Sequence, residues 1–436
     1  MKAAKLFLVI FAVAVASCYL FPFVPAVLPL ANSKMILAVV GLVLLGINLT
    51  KKGNASIDYD FLKLSVWAFA ISLIAFISVT LNHTQDNTFT TYFMSMWVWL
   101  GGAYAVVCLI KFVHRGISLP ILVNYLIAVC VLQCVLALIF DTNPSAAEWH
   151  ARTFTGEGYM GNTDDDRLHG IGCSLDVAGF RFAAIICMGA FLLCRDYNSQ
   201  SWKQSAFYLL SIGFITIIGN MISRSTVVGT GVALVYILLA STVKSDNRKL
   251  LWYFTLFIVC VSLICVYLYN IDKNFRDNIR FGFEGFFSIA EIGEWRTNSN
   301  DILKNMIVWP DNLKTWIIGD GYINNPLDTS LDTFDPYYVG PSFHGYYKGT
   351  DIGYLRYIFY FGITGLLAFS LYLIQVCKIC MTRFRAFSLM FFLVLVVNFI
   401  EWFKVSTDLF VVFAPFLCIS AKENEEALSR TRLDIQ

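Results

Sequence analysis

Residues 343–367 read FHGYYKGTDIGYLRYIFYFGITGLL, and along them a polar, glycine-containing segment passes into an apolar run. Asp351 lies at this boundary, with Arg356 five residues later and Gly362 eleven residues later. On a helix, the positions four and eleven residues after Asp351 lie on nearly the same face. The stretch therefore predicts that Asp351 opens a membrane helix beside a long water-facing segment. An acidic residue at a helix start is also an ordinary cap, so the pattern alone leaves both interpretations open.

The composition of the 436-residue chain indicates an integral membrane protein. Hydrophobic residues make up 58% of it and charged residues only 14%, so a water-soluble fold could not cover its apolar surface. The net charge of +2 provides no basic field, which argues against nucleic acid as a partner. None of the 12 cysteines falls within 271–350, which excludes a disulfide-linked domain there.

Apolar windows of membrane-spanning length recur along the chain. A transmembrane helix needs roughly 17 to 25 residues, and about twelve windows approach that length. They lie at 5–23, 35–50, 62–81, 90–110, 119–140, 173–194, 204–221, 225–243, 250–269, 352–376, 386–401 and 405–419. The predicted fold class is an all-α polytopic membrane protein with about twelve transmembrane helices.

Basic residues in alternate loops predict the topology. With the N-terminus inside, the short cytoplasmic segments carry Lys and Arg, whereas an opposite loop such as 82–87 (NHTQDN) carries neither. Both termini are therefore expected in the cytoplasm. The predicted organisation is helices one to nine in 1–270 with a smaller periplasmic loop at 141–172, a large periplasmic loop at 271–350, helices ten to twelve in 351–420, and a cytoplasmic tail at 421–436.

The large loop at 271–350 has features of its own. It is too long for a plain connection between helices. Residues 300–308 (NDILKNMIV) place apolar side chains at helical spacing, which predicts a short amphipathic helix on the membrane surface or on the bundle. Residues 319–322 (GDGY) predict a turn, and 325–341 predict an irregular, ordered loop.

Arginines outside the predicted cytoplasmic segments are the most informative charges. They are Arg152, Arg167, Arg181, Arg224, Arg276, Arg280, Arg296 and Arg356. Arg181 lies about 13 Å along its helix, a depth that requires either a partner such as Asp176 or a water-filled cavity. Arg224 and Arg356 could instead reach the interface from a helix end. Several guanidinium groups on one membrane face suit a lipid-linked pyrophosphate, because they bind phosphate oxygens without a metal.

The order of these motifs resembles that of the O-antigen ligase and polymerase superfamily, which are multi-spanning enzymes of glycosyltransferase-C type. The matching segments are 167–170 (RLHG) with Asp176 at the next helix start, 223–226 (SRST), Trp295 with Arg296, the predicted amphipathic helix, 319–322 and Asp351. The sequence departs from the family pattern at Asp351, where ligases more often have His, and at Asp176, where Asn is common.

The resemblance implies metal-independent glycosyl transfer at the periplasmic face of a bacterial inner membrane, without a cofactor. A glycan on undecaprenyl pyrophosphate would pass to a second lipid-linked repeat unit, as in a Wzy-type O-antigen or capsular polysaccharide polymerase. Asp351 is the expected catalytic base and His344 the other candidate. The expected pyrophosphate ligands are Arg224, Arg181, Arg296, Arg167 and Arg356. The expected partners are the lipid-linked oligosaccharide donor and acceptor, membrane lipid, a chain-length regulator and a flippase.

Two alternatives stay open. The first is a ligase that transfers the finished glycan to the lipid A core, although Asp351 in place of His favours the polymerase. The second is a lipid-linked oligosaccharide transporter, a class that places ionisable groups and broken helices near the membrane midplane. Other polar side chains are expected to be structural: Glu401, Lys404 and Asp408 as interface charges, and His150 and His169 as structural or solvated residues.

Overall fold

The computed structural model describes residues 2–28, 32–51, 59–155, 167–195, 201–243, 248–324 and 346–433. Within these ranges the chain is mostly α-helical, as the sequence predicts. The helices are α1 (Lys2–Leu20), α2 (Ser33–Lys51), α3 (Tyr59–Leu81), α4 (Tyr92–His114), α5 (Leu119–Thr142), α6 (Pro144–Thr153), α7 (Leu175–Arg195), α8 (Trp202–Ile222), α9 (Thr226–Val243), α10 (Arg248–Ile271), α11 (Lys273–Gly282), α12 (Glu284–Ile292), α13 (Asn298–Asn305), α14 (Leu313–Ile317), α15 (Gly353–Arg383), α16 (Ser388–Glu401), α17 (Phe410–Leu417) and α18 (Ala421–Leu433). Two short strands, β1 (Val24–Pro25) and β2 (Phe154–Thr155), pair antiparallel.

Eight of the described helices are long and apolar enough to cross a membrane: α2, α3, α4, α5, α7, α8, α10 and α15. Two further helices, α1 and α9, are also apolar, but the apolar parts are shorter, at Ala4–Leu20 and Thr226–Thr242. The last two predicted windows correspond to α16 and α17, which have 14 and 8 residues. The all-α membrane fold is therefore confirmed, and the count of about twelve spans stays a prediction.

One end of the helical bundle, here called the Arg383 end, is held by charged and polar contacts. Arg383 at the end of α15 pairs with Asp60 at the start of α3. The side chain of Asn424 on α18 accepts a hydrogen bond of 3.0 Å from the backbone of Leu119 at the start of α5. Most of the segment predicted as a tail at 421–436 is thus a helix packed against the bundle.

The opposite end, here called the Asp351 end, carries the start of α15. Lys404, in the turn between α16 and α17, lies 2.7 Å from Asp176 near the start of α7. Arg181, one turn further along α7, donates to the carbonyl of Leu20 at the end of α1. Polar side chains therefore join elements that are far apart in sequence.

The helix α7 lies at the centre of the bundle. Every residue from Ala178 to Cys194 is buried, a larger share than in any other membrane-length helix described. It packs closely against α9, where a Cβ atom on Gly229 would overlap the backbone of Ala183. Small residues at such crossings let two helix backbones approach each other. The packing fixes the position of Asp176.

The helix α15 is broken one-third of the way along. Phe361 and Gly362 have non-helical backbone angles, and Gly362 has φ 69° and ψ −174°, a region that only glycine adopts readily. The helix begins at Gly353, two residues after Asp351. The prediction that Asp351 and Gly362 belong to one continuous helix is therefore wrong.

The break is covered by a clamp segment, residues 319–324, which follows α14. The backbone N–H of Asp320 donates to the carbonyl of Phe359 at 2.6 Å, and that of Gly321 donates to the carbonyl of Tyr360 at 3.1 Å. Regular helical backbone angles end at Tyr360 and resume after Gly362. The clamp segment supplies hydrogen bonds to carbonyls at this break, as buried backbone groups require.

The end of α3 and the loop after it hold the clamp segment from the other side. Ser78 donates to the same Tyr360 carbonyl at 2.6 Å, and Asn82 donates to the carbonyl of Gly319 at 3.0 Å. The carboxylate of Asp86 accepts from the backbone of Ile323 at 2.9 Å. The first half of α15 is therefore positioned by α3 and the loop together.

The remaining loop predictions have mixed outcomes. The amphipathic helix predicted at 300–308 is present as α13, but it starts and ends earlier, and none of its side chains is buried. Both glycines of the predicted GDGY turn have positive φ, as a sharp change of direction requires. The predicted irregular loop at 325–341 and the candidate base His344 lie outside the described residues.

Candidate functional site

Asp351 and Arg356 form an ion pair at the start of α15. An Nη atom of Arg356 lies 3.6 Å from Oδ1 of Asp351, and the guanidinium carbon lies 3.4 Å from the ring centroid of Tyr346. The Arg356 side chain is almost fully buried, whereas a quarter of the Asp351 side chain, 25%, remains exposed. Among the described residues, Oδ1 of Asp351 accepts no hydrogen bond. The side chain is thus partly exposed, whereas its Oδ1 atom is buried and lies at the long distance of 3.6 Å from Arg356.

The surroundings of Asp351 weaken it as an acid. Burial raises the pKa of Asp351 to about 6, because the charged carboxylate has lost most of its water, and the positive charge of Arg356 offsets only part of this effect. Asp176 raises this pKa further and Lys404 lowers it, so the three side chains lie within electrostatic range of one another. A carboxylate with a pKa near 6 is mostly ionised at neutral pH and still accepts a proton readily.

Asp176 organises the elements next to this pair. Its Oδ1 accepts hydrogen bonds from Lys404 at 2.7 Å, from Ser225 at 2.8 Å and from Ser223 at 3.2 Å. Because the two serines flank Arg224, these bonds fix the backbone that carries its guanidinium group. The suggested ion pair between Asp176 and Arg181 is wrong, since Lys404 takes that place.

Arg224 and Arg167 both lie close to one aromatic ring, that of Phe281. Their guanidinium carbons lie 4.1 Å and 5.0 Å from the centroid of Phe281. Arg224 also donates to the carbonyl of Phe281 and to Ser299, both at 3.0 Å, and lies 2.7 Å from Glu284. The structure therefore brings together two of the predicted pyrophosphate ligands and locks the first of them in place.

A charged cavity of about 590 Å³ adjoins Arg224 and is lined mainly by α11, α12 and the segment leading into α13. Its three arginines each pair with an acid: Arg224 with Glu284 and Arg280 with Glu291, both at 2.7 Å, and Arg296 with Asp301 at 2.9 Å. The predicted ligand Arg296 thus shares a cavity with Arg224. An anion that enters the cavity must share these guanidinium groups with the carboxylates or displace the carboxylates.

Arg181 lies apart from these arginines. Its guanidinium group donates to the Leu20 carbonyl and lies 5.5 Å from the ring centroid of Phe21 and 5.8 Å from that of Trp99. These contacts join α7 to α1 and α4. The structure thus places Arg181 in the packing between helices, not beside Arg224.

A polar cavity of about 420 Å³ lies on the other side of Arg167, and His169, Asp141 and Asn278 line it. Behind it, the rings of His150 and His169 lie 5.0 Å apart. Burial lowers the pKa of His150 to about 4 and also lowers that of His169, so both are neutral at pH 7. This arrangement is consistent with the structural role expected for them.

Two apolar clefts reach the Asp351 end. One, of about 450 Å³, runs between α8, α9 and α10 and ends at Phe287, which also lines the charged cavity. The other, of about 640 Å³, lies between α13 and α15 and is bordered by Ile352, next to Asp351. A polar cavity and an apolar cleft are therefore neighbours at Phe287.

Sequence reasoning underrated Lys404, which was expected to be an interface charge. It also missed the acidic partners Glu284, Glu291 and Asp301. The sequence did contain one sign of the role of Lys404. Lys404 lies in a predicted turn on the same side of the membrane as the start of α7, which carries Asp176. Within the described ranges, no three His, Cys, Asp or Glu side chains are grouped as metal ligands would be.

Comparison with protein-family models gives no match for this chain, and comparisons with curated proteins and with solved structures give none either. The resemblance to the O-antigen superfamily therefore depends on the short motifs quoted above. Any function must be argued from the geometry at the Asp351 end.

Proposed function

We propose that this protein polymerises glycan repeat units carried on a lipid pyrophosphate, with undecaprenyl pyrophosphate as the expected carrier. The donor glycan leaves its pyrophosphate and joins the sugar of a second lipid-linked repeat unit. The site lies at the Asp351 end, which the loop charges predict to be periplasmic. A bacterial inner-membrane location belongs to the same proposal.

The charged cavity and the apolar cleft meet at one shared residue, Phe287, and this adjacency is the observation that carries the proposal. Phe287 borders both spaces, so a single ligand can place an anionic group beside Arg224 and an apolar tail between α8, α9 and α10. A soluble nucleotide sugar has no tail for the cleft, and an ordinary apolar ligand has no charge for the arginines. A lipid pyrophosphate has both.

Asp351 is the group that would act on the acceptor. Its carboxylate would accept the proton of the acceptor hydroxyl as that oxygen bonds to the anomeric carbon of the donor. The bond from this carbon to the pyrophosphate oxygen breaks, and the leaving group keeps the electron pair. Because pyrophosphate is already a good leaving group, positive charge near it is enough and a general acid is not needed.

The arginine pairs determine how the donor would bind. Arg224 already donates to Phe281, Ser299 and Glu284. The guanidinium has five N–H donors, so some remain for phosphate oxygens without loss of every existing bond. Displacement of the Glu284 carboxylate would release further donors. Binding would therefore couple the pyrophosphate to the position of α12.

The transporter alternative gains one observation, the broken helix α15. In transporters, the carbonyl groups freed by such breaks line a cavity and bind the cargo. Here the carbonyls of Phe359 and Tyr360 accept hydrogen bonds from the clamp segment and from Ser78. Their use inside the protein supports a positioning role for the break and favours the enzyme over the transporter.

The junction at Phe287 provides the test. Purified protein in liposomes is given synthetic glycan donors on a long polyprenyl pyrophosphate or on a short-chain pyrophosphate, and polymer is measured as a ladder on gels. Phe287→Ala is expected to lower kcat/KM for the long-chain donor by about tenfold and to leave the short-chain donor nearly unchanged, because it removes apolar contact without adding charge beside the arginines. Trp149→Ala, at an exposed aromatic residue on α6, is the matched control.

Equal losses with both donors would show that the cleft does not bind the lipid tail of the donor. No ladder with wild-type protein and lipid-linked acceptor, together with transfer to a lipid A core acceptor, would support the ligase instead. Movement of intact donor across the liposome membrane without polymer would support the transporter.

A further inference from the structure

A large apolar cavity lies at the Arg383 end, far from the proposed catalytic site. It has a volume of about 930 Å³ and lies between α7, α9 and α16. Its walls include Phe191, Val235, Leu239, Phe392 and Leu393. Val235, Leu239 and Phe392 are also roughly half exposed at its rim. The cavity therefore opens sideways toward the acyl chains of the surrounding bilayer.

The cavity is wide where α9 passes it. Gly231 lines it, and a Cβ atom on this glycine would meet no atom within 4 Å. Space at this position is thus not filled by protein. In water-soluble cores such volume is avoided, because lost contacts destabilise the fold. In a membrane, an acyl chain can fill it and restore the contacts.

One wall of the cavity carries positive charge. Arg195, the last residue of α7, lines the cavity, and its guanidinium carbon lies 3.9 Å from the ring centroid of Phe387. Arg385 is exposed and precedes Ala386, another lining residue. The nearby Arg383 pairs with Asp60 and donates to the Leu417 carbonyl.

We propose that this cavity is a binding site for an anionic phospholipid of the bilayer. One acyl chain lies between α9 and α16, and the phosphate contacts Arg195 at the cavity mouth. An apolar pocket between membrane helices with a cationic mouth matches this class of ligand in both size and charge. The guanidinium group of Arg195 lies over the ring of Phe387, and a planar guanidinium group is the side chain best suited to phosphate oxygens. The occupant also fills space beside α7, the helix that carries Asp176 at its other end.

Lipid selectivity tests the site independently of enzyme activity. Delipidated full-length protein in detergent is mixed with phosphatidylglycerol or phosphatidylcholine of identical acyl chains, and bound lipid is counted by native mass spectrometry. Wild-type protein is expected to bind phosphatidylglycerol roughly tenfold more tightly, as a charge-assisted hydrogen bond allows. Arg195→Gln is expected to abolish this preference, and Arg195→Lys to retain part of it. Arg152→Gln, at an exposed arginine at the other end, is the matched control.

Gly231→Phe places a side chain inside the cavity without removing charge, and it is expected to weaken the binding of both lipids. It also keeps the test decisive if Arg195→Gln fails to fold. Equal binding of the two lipids by wild-type protein would overturn the proposal. So would an unchanged preference in Arg195→Gln, or unchanged lipid binding in Gly231→Phe.

Discussion

Replacing Asp351 by Asn turns a carboxylate into a neutral amide of nearly the same size, so the replacement should change activity and stability in opposite directions if Asp351 is a buried base. Burial raises the pKa of Asp351 from 3.8 to about 6. The folded protein therefore holds this proton more tightly than the unfolded chain. It follows that the contribution of Asp351 to the free energy of unfolding falls as the pH rises from about 4 to about 6.

The size of the effect follows from the same shift. One pKa unit corresponds to about 1.36 kcal/mol, so the ionised carboxylate lowers the free energy of unfolding by at most about 3 kcal/mol above pH 6. Asn does not ionise. Asp351→Asn is therefore expected to match the wild type in stability near pH 4 and to exceed it at pH 7, as measured by thermal unfolding in detergent.

Activity is expected to change the other way. Loss of a general base lowers the rate about 100- to 10,000-fold, so Asp351→Asn should make little polymer in the liposome assay. The wild-type rate should fall about tenfold from pH 7 to pH 5, because the ionised fraction of a group with a pKa near 6 falls from about nine tenths to about one tenth.

A variant that unfolds more easily at pH 7 and polymerises normally would refute this reasoning and leave Asp351 with a structural role only. If Asp351→Asn polymerises normally and His344→Ala does not, the role of base passes to His344. A wild-type rate that is flat between pH 5 and pH 7 would also contradict the assignment.

Three further changes test the surroundings of the site. Arg224→Lys keeps the charge but loses the planar fork of the guanidinium group, so polymer yield should drop, while Arg152→Lys should have no effect. A normal yield would indicate that the Arg224 side chain only extends to the membrane–water interface. Lys404→Met leaves the partly buried Asp176 without its cation and should destabilise the protein by about 3 kcal/mol in thermal unfolding. Adding Asp176→Asn to the same chain should recover part of this loss, and no recovery would argue against the pair. Gly362→Ala forces a side chain into a glycine-only region and against the backbone of Ile317 and Ile318 at the end of α14, so stability should fall by about 1 to 3 kcal/mol. An unchanged unfolding temperature would show that the break tolerates a Cβ atom.

The membrane helices could be predicted because a bilayer imposes length and composition directly. The window at 119–140 became Leu119–Thr142, and the window at 173–194 became Leu175–Arg195. Each is apolar enough to be recognised without knowledge of its neighbours. The orientation of these helices rests on the loop charges and stays a prediction.

The break in α15 could not be predicted, because the local sequence is apolar and suits a continuous helix. It depends on hydrogen bonds from the clamp segment and from Ser78, which lies 282 residues before Tyr360. The same limit applies to Lys404 and Asp176, which are 228 residues apart. Side chains that meet only in the folded bundle leave no periodic signal in one sequence.

Part of the candidate site did follow from motif order. Grouping Arg167, Arg224 and Arg296 was reasonable because each begins or precedes a helix on the same predicted side, and the structure brings the first two to one ring and the last two to one cavity. Arg181 was grouped with them by depth alone. Arg181 instead projects from α7 toward α1 and α4, and this direction depends on how the helices pack.

The clamp also constrains when the protein can be completed during synthesis. Asn82 and Ser78 emerge from the ribosome 237 and 282 residues before their partners Gly319 and Tyr360. At about 5 to 20 residues per second, this gap corresponds to roughly 10 to 60 seconds. The end of α3 therefore waits for its partners while most of the chain is still being made, and contacts of such long range form slowly. The Asp351 end should be among the last parts to assemble, and a chain stopped before α15 should leave the polar end of α3 open to chaperones and proteases.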